Sequence, residues 1–473
     1  MHRLSLATLS LLATLSFLTN ANAAPEFRAG AARSVITPPL GAAMAGHYHF
    51  RACDGVLDDL HASALVLNDG TSMAAMVTLD LIDAPRSLVD AVRARIDADG
   101  VLPGSSVMIS ATHAHTGPVP GRFLRTPDAP DASATGPDSP HGKYLAALPN
   151  LIAAAVRNAA AALAPVSISS VSGDCPDTTF CRRFYLKDGS VAWNPGKLNP
   201  AVMLPTGPTD PQSQAVFFEP PHAPGTLAPA LAIYANFSMH PDTVGGSKAS
   251  ADYPGALSRL LAAYHGSNAI TLFGNGTCGN LNHLDVHWNR SQSGPAEANR
   301  LATLIAASLF RAEKSPRPIA PFPLKVRSAS VPLAVPSVSP EQSELASLTV
   351  SGKRSTPPSF NDLVHANRIL DLAQLNGQPI PAEVQVISLG HDIAWVALPG
   401  EVFAELGLAL KKRSPFPVTI ITTLANGSIG YVPDRRSYAE KAYEAESARV
   451  EPGSGEQLVD AAISLLNALH QSP

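Results

Sequence analysis

Short apolar runs recur along this chain, and each ends in a polar residue of the kind that does chemistry. Val107-Met108-Ile109 leads within a few residues to His113 and His115, and Ile233-Tyr234-Ala235-Asn236-Phe237 leads to His240. Ala394-Trp395-Val396-Ala397-Leu398 passes through a Pro-Gly turn to Glu401, and Val418 to Thr423 passes through Asn426-Gly427 to Tyr431. Brief apolar runs bounded by Gly, Pro and Asn read as buried strands. In an open α/β sheet, ligands bind outside the carboxyl ends of the strands. Side chains scattered over some 300 residues of sequence can therefore meet at one place.

The intervening segments set the fold class. Ala64 to Leu67, Ser72 to Leu79, Ser106 to Ser110, Ala269 to Phe273 and Ile393 to Leu398 read as further or overlapping strands. Arg86 to Asp97, Tyr144 to Leu163, Glu297 to Arg311 and Gln457 to Leu469 carry helical periodicity. Strands alternating with helices predict an α/β fold with mixed sheet layers, helices outside and a metal site at the strand ends. The Pro- and Asp-rich segment Pro118 to Gly142 reads as a long loop, and Ser337 to Asn361 as a surface excursion. No repeat of fixed period is visible.

The N-terminus has a different character. Arg3, the apolar stretch Leu4 to Leu18 and the small-x-small pattern Ala21-Asn22-Ala23 predict a signal peptide over residues 1–23, cleaved near Ala23. The expected product is a secreted or periplasmic chain of 450 residues (473 minus 23) with no transmembrane segment after signal removal. A hydrophobic fraction of 45% is enough for a sizeable core, and residues 24–473 are expected to form a single domain. With a net charge of −4 and no Lys/Arg block, the chain lacks the electrostatic footprint of a nucleic-acid binder. Four cysteines in an exported chain suggest disulfides. Cys175 and Cys181 are close enough for a small bridge, which leaves Cys53 and Cys278, and no CxxC points to a structural zinc site.

Imidazole and carboxylate are what zinc accepts, and a catalytic zinc site needs three protein ligands and an open position for water. Zinc lowers the pKa of that water and polarises a carbonyl oxygen, so the His and Glu residues at the strand ends suffice chemically for hydrolysis. Two His one residue apart share a face if the segment stays extended, so His113 and His115 can look into one cleft. His-x-His is by itself a weakly specific spacing. His283 and His287, at i and i+4, lack the Glu of a His-Glu-x-x-His helix, and their Asn/Asp flanks suggest a loop. His47 and His49 suit a turn near the pocket, His61 opens a strand, and Asp242 and Asp252 are candidates to orient ligand histidines. No Gly-x-Ser-x-Gly elbow supports a Ser-His-Asp enzyme.

Several segments are similar to motifs of the neutral/alkaline (non-lysosomal) ceramidases. Gly30 to Pro39, reading GAARSVITPP, looks like the family's opening, and Ser110 to Pro118, reading SATHAHTGP, resembles its Thr-His-Thr-His-Ser-Gly-Pro motif. Thr78-Leu79-Asp80, Met239-His240-Pro241 and Leu398-Pro399-Gly400-Glu401 follow in the family's order. The resemblance implies a zinc ion held by His113, His240, Glu401 and Tyr431, with Tyr438 and Tyr443 as competing choices for the tyrosine. It places His115 beside the metal as proton-handling partner, gives Tyr431 a catalytic share, and makes Arg182 a substrate-binding residue. Two departures narrow it. Where the family carries Gly-Asp-Val-Ser-Pro-Asn, with a catalytic Ser, this chain reads Asn275-Gly276-Thr277-Cys278-Gly279-Asn280. The family's C-terminal immunoglobulin-like domain has no counterpart in the expected organisation.

The reading is an exported zinc-dependent hydrolase that cleaves the amide of a small-molecule or lipid-like N-acyl (ceramide-like) substrate with metal-activated water. Its first rival keeps the zinc and changes the bond to a carboxylic ester or lactone. A second, of another class, is a non-catalytic exported binding protein.

Overall fold

The apolar runs are strands, and most are buried on both faces because each lies between a helix layer and a shared interior. A computed structural model describes residues 26–121, 125–127, 135–222 and 228–472. The expected signal peptide and parts of the Pro118 to Gly142 segment lie outside the described residues.

One topology occurs three times along the chain. The first unit consists of β1 (Arg28–Val35), β2 (His61–Asn68), β3 (Met73–Leu79), α1 (Arg86–Ala98), β4 (Val107–Ala111) and α2 (Pro140–Ala161). The second runs β5 (Ser167–Asp174), β6 (Gln212–Glu219), β7 (Ala232–Phe237), α3 (Asp252–His265), β8 (Ile270–Asn275) and α4 (Pro295–Ala312). The third runs β9 (Leu324–Leu333), β10 (Ile380–Leu389), β11 (Ile393–Ala397), α5 (Ala404–Arg413), β12 (Val418–Thr422) and α6 (Ser454–Gln471). In every unit the four strands lie side by side in the order fourth, third, second, first, and only the third and fourth are parallel. The reason is the connection. Short turns such as Asn68 to Met73 and Leu389 to Ile393 allow only antiparallel pairing, whereas a parallel neighbour needs a crossover, supplied by α1, α3 or α5. The sheets are mixed, as expected, and mostly antiparallel.

Residue alternation shows where each face points. Ala64 and Val66 of β2 pack outward against α1 and α2, with Leu88, Val92, Leu148 and Ile152, while Leu65 and Leu67 point inward. Ala215 and Phe217 of β6, and Val384 and Val386 of β10, face their own helices in the same way. The inward set from all three sheets (Leu65, Met76, Val216, Tyr234, Ile387, Trp395 and Ile420 among them) forms one apolar interior. Three sheets thus surround a common centre, with helices outside.

Buried asparagines join the sheets at the carboxyl ends of the parallel pairs. Asn236 donates to the Gly274 and Ile421 carbonyls at 2.7 and 2.8 Å, Asn275 to Thr112 at 3.2 Å, and Asn426 accepts from the Ile109 N–H at 3.0 Å. A buried amide with its bonds made fixes register where slippage would leave it unpaired.

One expectation gains detail and one is corrected. The Ser337 to Asn361 excursion is the start of a helical hairpin, Pro340–Val350 and Phe360–Leu375, inserted between β9 and β10. Both helices begin in capping boxes, Ser339 with Gln342 and Ser359 with Asp362. The four cysteines are free and buried. Their side chains lie in different apolar clusters: Cys53 under the first sheet, Cys175 under the second, Cys181 with Leu281 and Ala404, and Cys278 with Ala111 and Leu424. None faces another, so the expected bridges do not form. Among the described residues no helix is long and apolar enough to cross a membrane.

Candidate metal centre

The strand ends of all three units converge. Beyond β4, the backbone of His113 turns into the left-handed region at φ 75°, its N–H bonded to the Leu81 carbonyl at 2.9 Å. The segment is therefore kinked at His113 rather than extended. A positive φ at a non-Gly residue costs on the order of 1–3 kcal/mol and persists only when the surroundings impose it. The kink brings the His113 and His115 rings edge to face, with centroids 4.8 Å apart and their Nε2 atoms 3.3 Å apart. Gly46 makes room for this: its φ is 91°, and a Cβ there would lie 2.7 Å from the His115 carbonyl oxygen.

The second and third units close the site. His240, beyond β7, donates from Nδ1 towards the Cys278 and Leu281 carbonyls at 2.8 and 3.0 Å, while His113 donates from Nδ1 to the Ile82 carbonyl at 2.6 Å. A carbonyl can only accept, so both Nδ1 atoms carry a hydrogen, and in the neutral rings both Nε2 atoms turn a lone pair to the site. Those lone pairs face the same carboxylate oxygen. Glu401 Oε2 lies 3.5 Å from His113 Nε2 and 3.1 Å from His240 Nε2. Two ring nitrogens and a carboxylate oxygen thus converge on one point, the donor types that a metal ion accepts.

Burial works against an imidazolium at His113, yet Glu401 outweighs it and raises the pKa. Burial pushes the Glu401 carboxyl up, but His113 and His240 hold it well below the usual carboxylate range. Burial, aided by Arg182 and His113, lowers His240 to about 4, and burial with His113 keeps His115 neutral as well. The nitrogens of His113, His115 and His240 lie within 4.8 Å of one another, a group able to hold a metal ion.

Tyr431 joins from the third unit, where its short strand pairs in parallel with that of Glu401. Its hydroxyl accepts from Arg182 Nη2 at 2.9 Å, and burial raises its pKa well above the ordinary value despite that cation. Tyr438 bonds the Val450 carbonyl at 2.9 Å and is absent from the cavity lining; Tyr443 lies beside Tyr431, with ring centroids 5.5 Å apart. Arg182 is buried. It donates to Glu444 and to the Gly279 carbonyl, both at 2.8 Å, so its contact with the cavity runs through the Tyr431 hydroxyl.

The remaining candidates are spread around this centre. Asp242 pairs with His283 at 3.2 Å, and His283 also bonds the Gln292 carbonyl, whereas His287 is exposed; the two do not form a metal pair. Asp252 accepts the Val244 and Tyr253 N–H groups, a turn role, and His61 lies 4.0 Å from Asp80. Cys278, at the position of the family's Ser, has its side chain in the apolar cluster with Ala111 and Leu424 and presents its carbonyl to His240.

A cavity of about 700 Å³ opens over His113, His115, Glu401 and Tyr431. Met44, Phe50, Val119 and Ile429 give it apolar surface, and the Phe360–Leu375 helix forms the facing wall with Asn367, Arg368 and Asp371. Tyr48, Arg449 and Asp371 escaped sequence reasoning. Each lies far in sequence from its cavity neighbours, and no local motif marks it.

The architecture is that of the ceramidase type of fold. No family model and no curated protein matches the sequence, but solved structures match the fold. The chain is similar to the neutral ceramidase from Pseudomonas aeruginosa, with a TM-score of 0.69 at 20% identity over 94% of this chain and 75% of that one. It is also similar to a ceramidase complexed with C2, with a TM-score of 0.67 at 18% identity over 95% and 76%. At these identities the likeness is one of fold.

Proposed function

We propose that this chain is an exported zinc-dependent hydrolase that cleaves the amide of an N-acyl substrate. The observation that carries the reading is the pair of Nε2 lone pairs, on His113 and His240, aimed at one Glu401 oxygen beneath an open cavity. The donor set suits zinc, and both histidines have the outer carbonyl partner that zinc ligands use. Bound zinc supplies a Lewis acid and lowers the pKa of water.

The protein's own groups account for the rest. His115 is neutral, faces the cavity and sits beside His113, so it can take a proton from the attacking water and pass it to the leaving amine. Tyr431 is kept protonated by burial and fixed by Arg182, and its hydroxyl is suited to donate to a carbonyl oxygen as negative charge develops there. Arg182 then acts as a positioning residue for Tyr431. The apolar cavity surface suits the acyl chain, in line with the ceramide-like class that the fold's relatives suggest. The common interior of the three sheets supports reading residues 24–473 as one domain, and the apolar N-terminal stretch with Ala21-Asn22-Ala23 supports export.

The test is metal analysis of the purified protein followed by turnover of matched amide and ester substrates. Stoichiometric zinc with amide cleavage is expected. Cleavage of the ester alone selects the ester or lactone reading, and neither metal nor turnover selects the binding protein.

A further inference from the structure

The hydrolase reading gives no role to the cations of the cavity. The Phe360–Leu375 helix turns Val364, Asn367, Arg368, Asp371 and Leu375 towards it, at helical spacing. Asp371 is clamped between two guanidinium groups, with Arg125 Nη1 on Oδ1 at 2.8 Å and Arg449 Nη1 on Oδ2 at 3.2 Å. Arg368 donates Nε to the Ala448 carbonyl at 2.6 Å and has no carboxylate within 4.0 Å among the described residues. Arg51, behind His115, donates only to backbone carbonyls, those of Ala45, Gly246 and His115. Of these four, Arg368 and Arg449 line the cavity; among the described residues its other carboxylates beside Asp371 are Glu401 and Asp83, which holds the Ser428 hydroxyl at 2.7 Å. Glu401 is taken up by the histidines.

Arg449 is the best placed of the four. Only its Nη1 is engaged, by Asp371; among the described residues Nε and Nη2 make no hydrogen bond, and the side chain is 27% exposed to the cavity. The free edge lies against Gly430, where an added Cβ would come within 3.1 Å of Nη2 and 3.3 Å of Nε. Gly430 directly precedes Tyr431, so this edge is close to where the reacting bond must sit. A side-on pair of guanidinium N–H groups in a partly desolvated cleft fits a carboxylate with two parallel bonds.

We infer that Arg449 receives a carboxylate on the amine half of the substrate, so that the bond cleaved joins an acyl chain to an amino acid. The inference rests on the amide-hydrolase reading and names its substrate class. Water adds to the acyl carbonyl and the C–N bond breaks, with a proton passing to the departing nitrogen. The products are a fatty acid and a free amino acid, and no further reactant is needed.

N-lauroylglycine and N-lauroylethanolamine differ only in carboxylate against hydroxymethyl. The zinc-loaded enzyme is expected to favour the former in kcat/KM by about 10- to 100-fold, the range for a charge-assisted pair. Arg449→Gln should collapse that ratio towards one, chiefly through KM, and Arg449→Lys should keep part of it. Calorimetric titration with 4-oxopentadecanoate and its methyl ester, which have no amide to cleave, reads the same preference without turnover. Tighter binding of the acid, lost in Arg449→Gln, would uphold the anion site even if neither amide were cleaved, and that failure would fall on the hydrolase reading. Amide cleavage with equal or reversed preference, or a carboxylate preference that survives Arg449→Gln, overturns the proposal. If Arg449→Gln does not fold, the wild-type ratio and the Lys variant still decide it.

Discussion

The two walls of the cavity are built on different principles. The wall that carries the histidines is made of strand ends from three topologically equivalent units, and its polar groups are tied to backbone or to one another: His113 to Ile82, His240 to Cys278, Tyr431 to Arg182. The facing wall is a helical hairpin present in the third unit alone, with a small apolar cluster of its own around Ala346, Ala366 and Ile369. Leu345, Leu348 and Phe360 on that hairpin remain exposed by 55%, 40% and 42%. In the proposed reading, groups that must stay within a few tenths of an ångström for chemistry sit on the frame, and the insertion serves recognition by holding Arg449 through Asp371 at 3.2 Å.

The largest effects should come from the frame. His113→Ala and His240→Ala each remove a proposed ligand, and the loss of metal and turnover should exceed the roughly 10- to 100-fold that loss of an outer partner costs. Elemental analysis beside kinetics checks this, and a variant that keeps full activity without metal would end the zinc reading. Next in size is Arg182→Gln. Arg182 and Glu444 are buried to 3% and 0% side-chain exposure. Removing one partner of such a pair costs about 3–5 kcal/mol, with the lower end expected because Arg183 still approaches Glu444 at 3.5 Å. Urea unfolding reads the loss. An unchanged midpoint would mean that this wall is not held as described.

The same contrast governs what the sequence reveals. His113, His115, His240, Glu401 and Tyr431 are legible because each follows an apolar strand, and strand ends are where sheets place ligands. The threefold topology is invisible in the residues. The units share strand order and crossover helices but differ in loop length, so no period survives. His283 and His287 show the limit of spacing: His283 is captured by Asp242 and Gln292 while His287 faces solvent. The free cysteines show the limit of counting, because nothing in an even number places two sulfurs in the same cluster. The hairpin was partly legible after all, since Ser339-x-x-Gln342 and Ser359-x-x-Asp362 are helix-start signals within a segment whose Pro and Ser content reads as loop. Arg449 and Asp371 meet only in the fold.

A third prediction concerns the frame's response to pH. Asp80, just beyond β3, is partly buried, and its desolvation raises its carboxyl to about 7, although the His61 N–H and the Thr112 hydroxyl oppose the rise. In the unfolded chain it titrates near 3.9. Between those values the folded state holds a proton that the unfolded state has released, so stability falls as pH rises from about 4 to 7, by a few kcal/mol. Asp80→Asn should flatten this part of the profile, as melting temperatures at pH 4.5 and 7.5 will tell. A mutant profile parallel to the wild type would place the pH dependence elsewhere.

The smallest effect is expected at the seam between the walls. Phe360, the first residue of the hairpin's second helix, stacks on Trp193 at 5.9 Å with planes 6° apart and meets Tyr48 edge-on at 5.2 Å. Trp193 in turn lies 4.6 Å from Tyr443, beside Tyr431. An aromatic pair contributes about 0.5–1.5 kcal/mol beyond its buried area, and a half-exposed ring less. Phe360→Ala should therefore shift stability by no more than about 1 kcal/mol and raise KM severalfold, leaving zinc content and kcat where they were. A fall in kcat at constant KM would show that the hairpin also positions Tyr431, and the division between a frame for chemistry and an insertion for recognition would then fail at this residue.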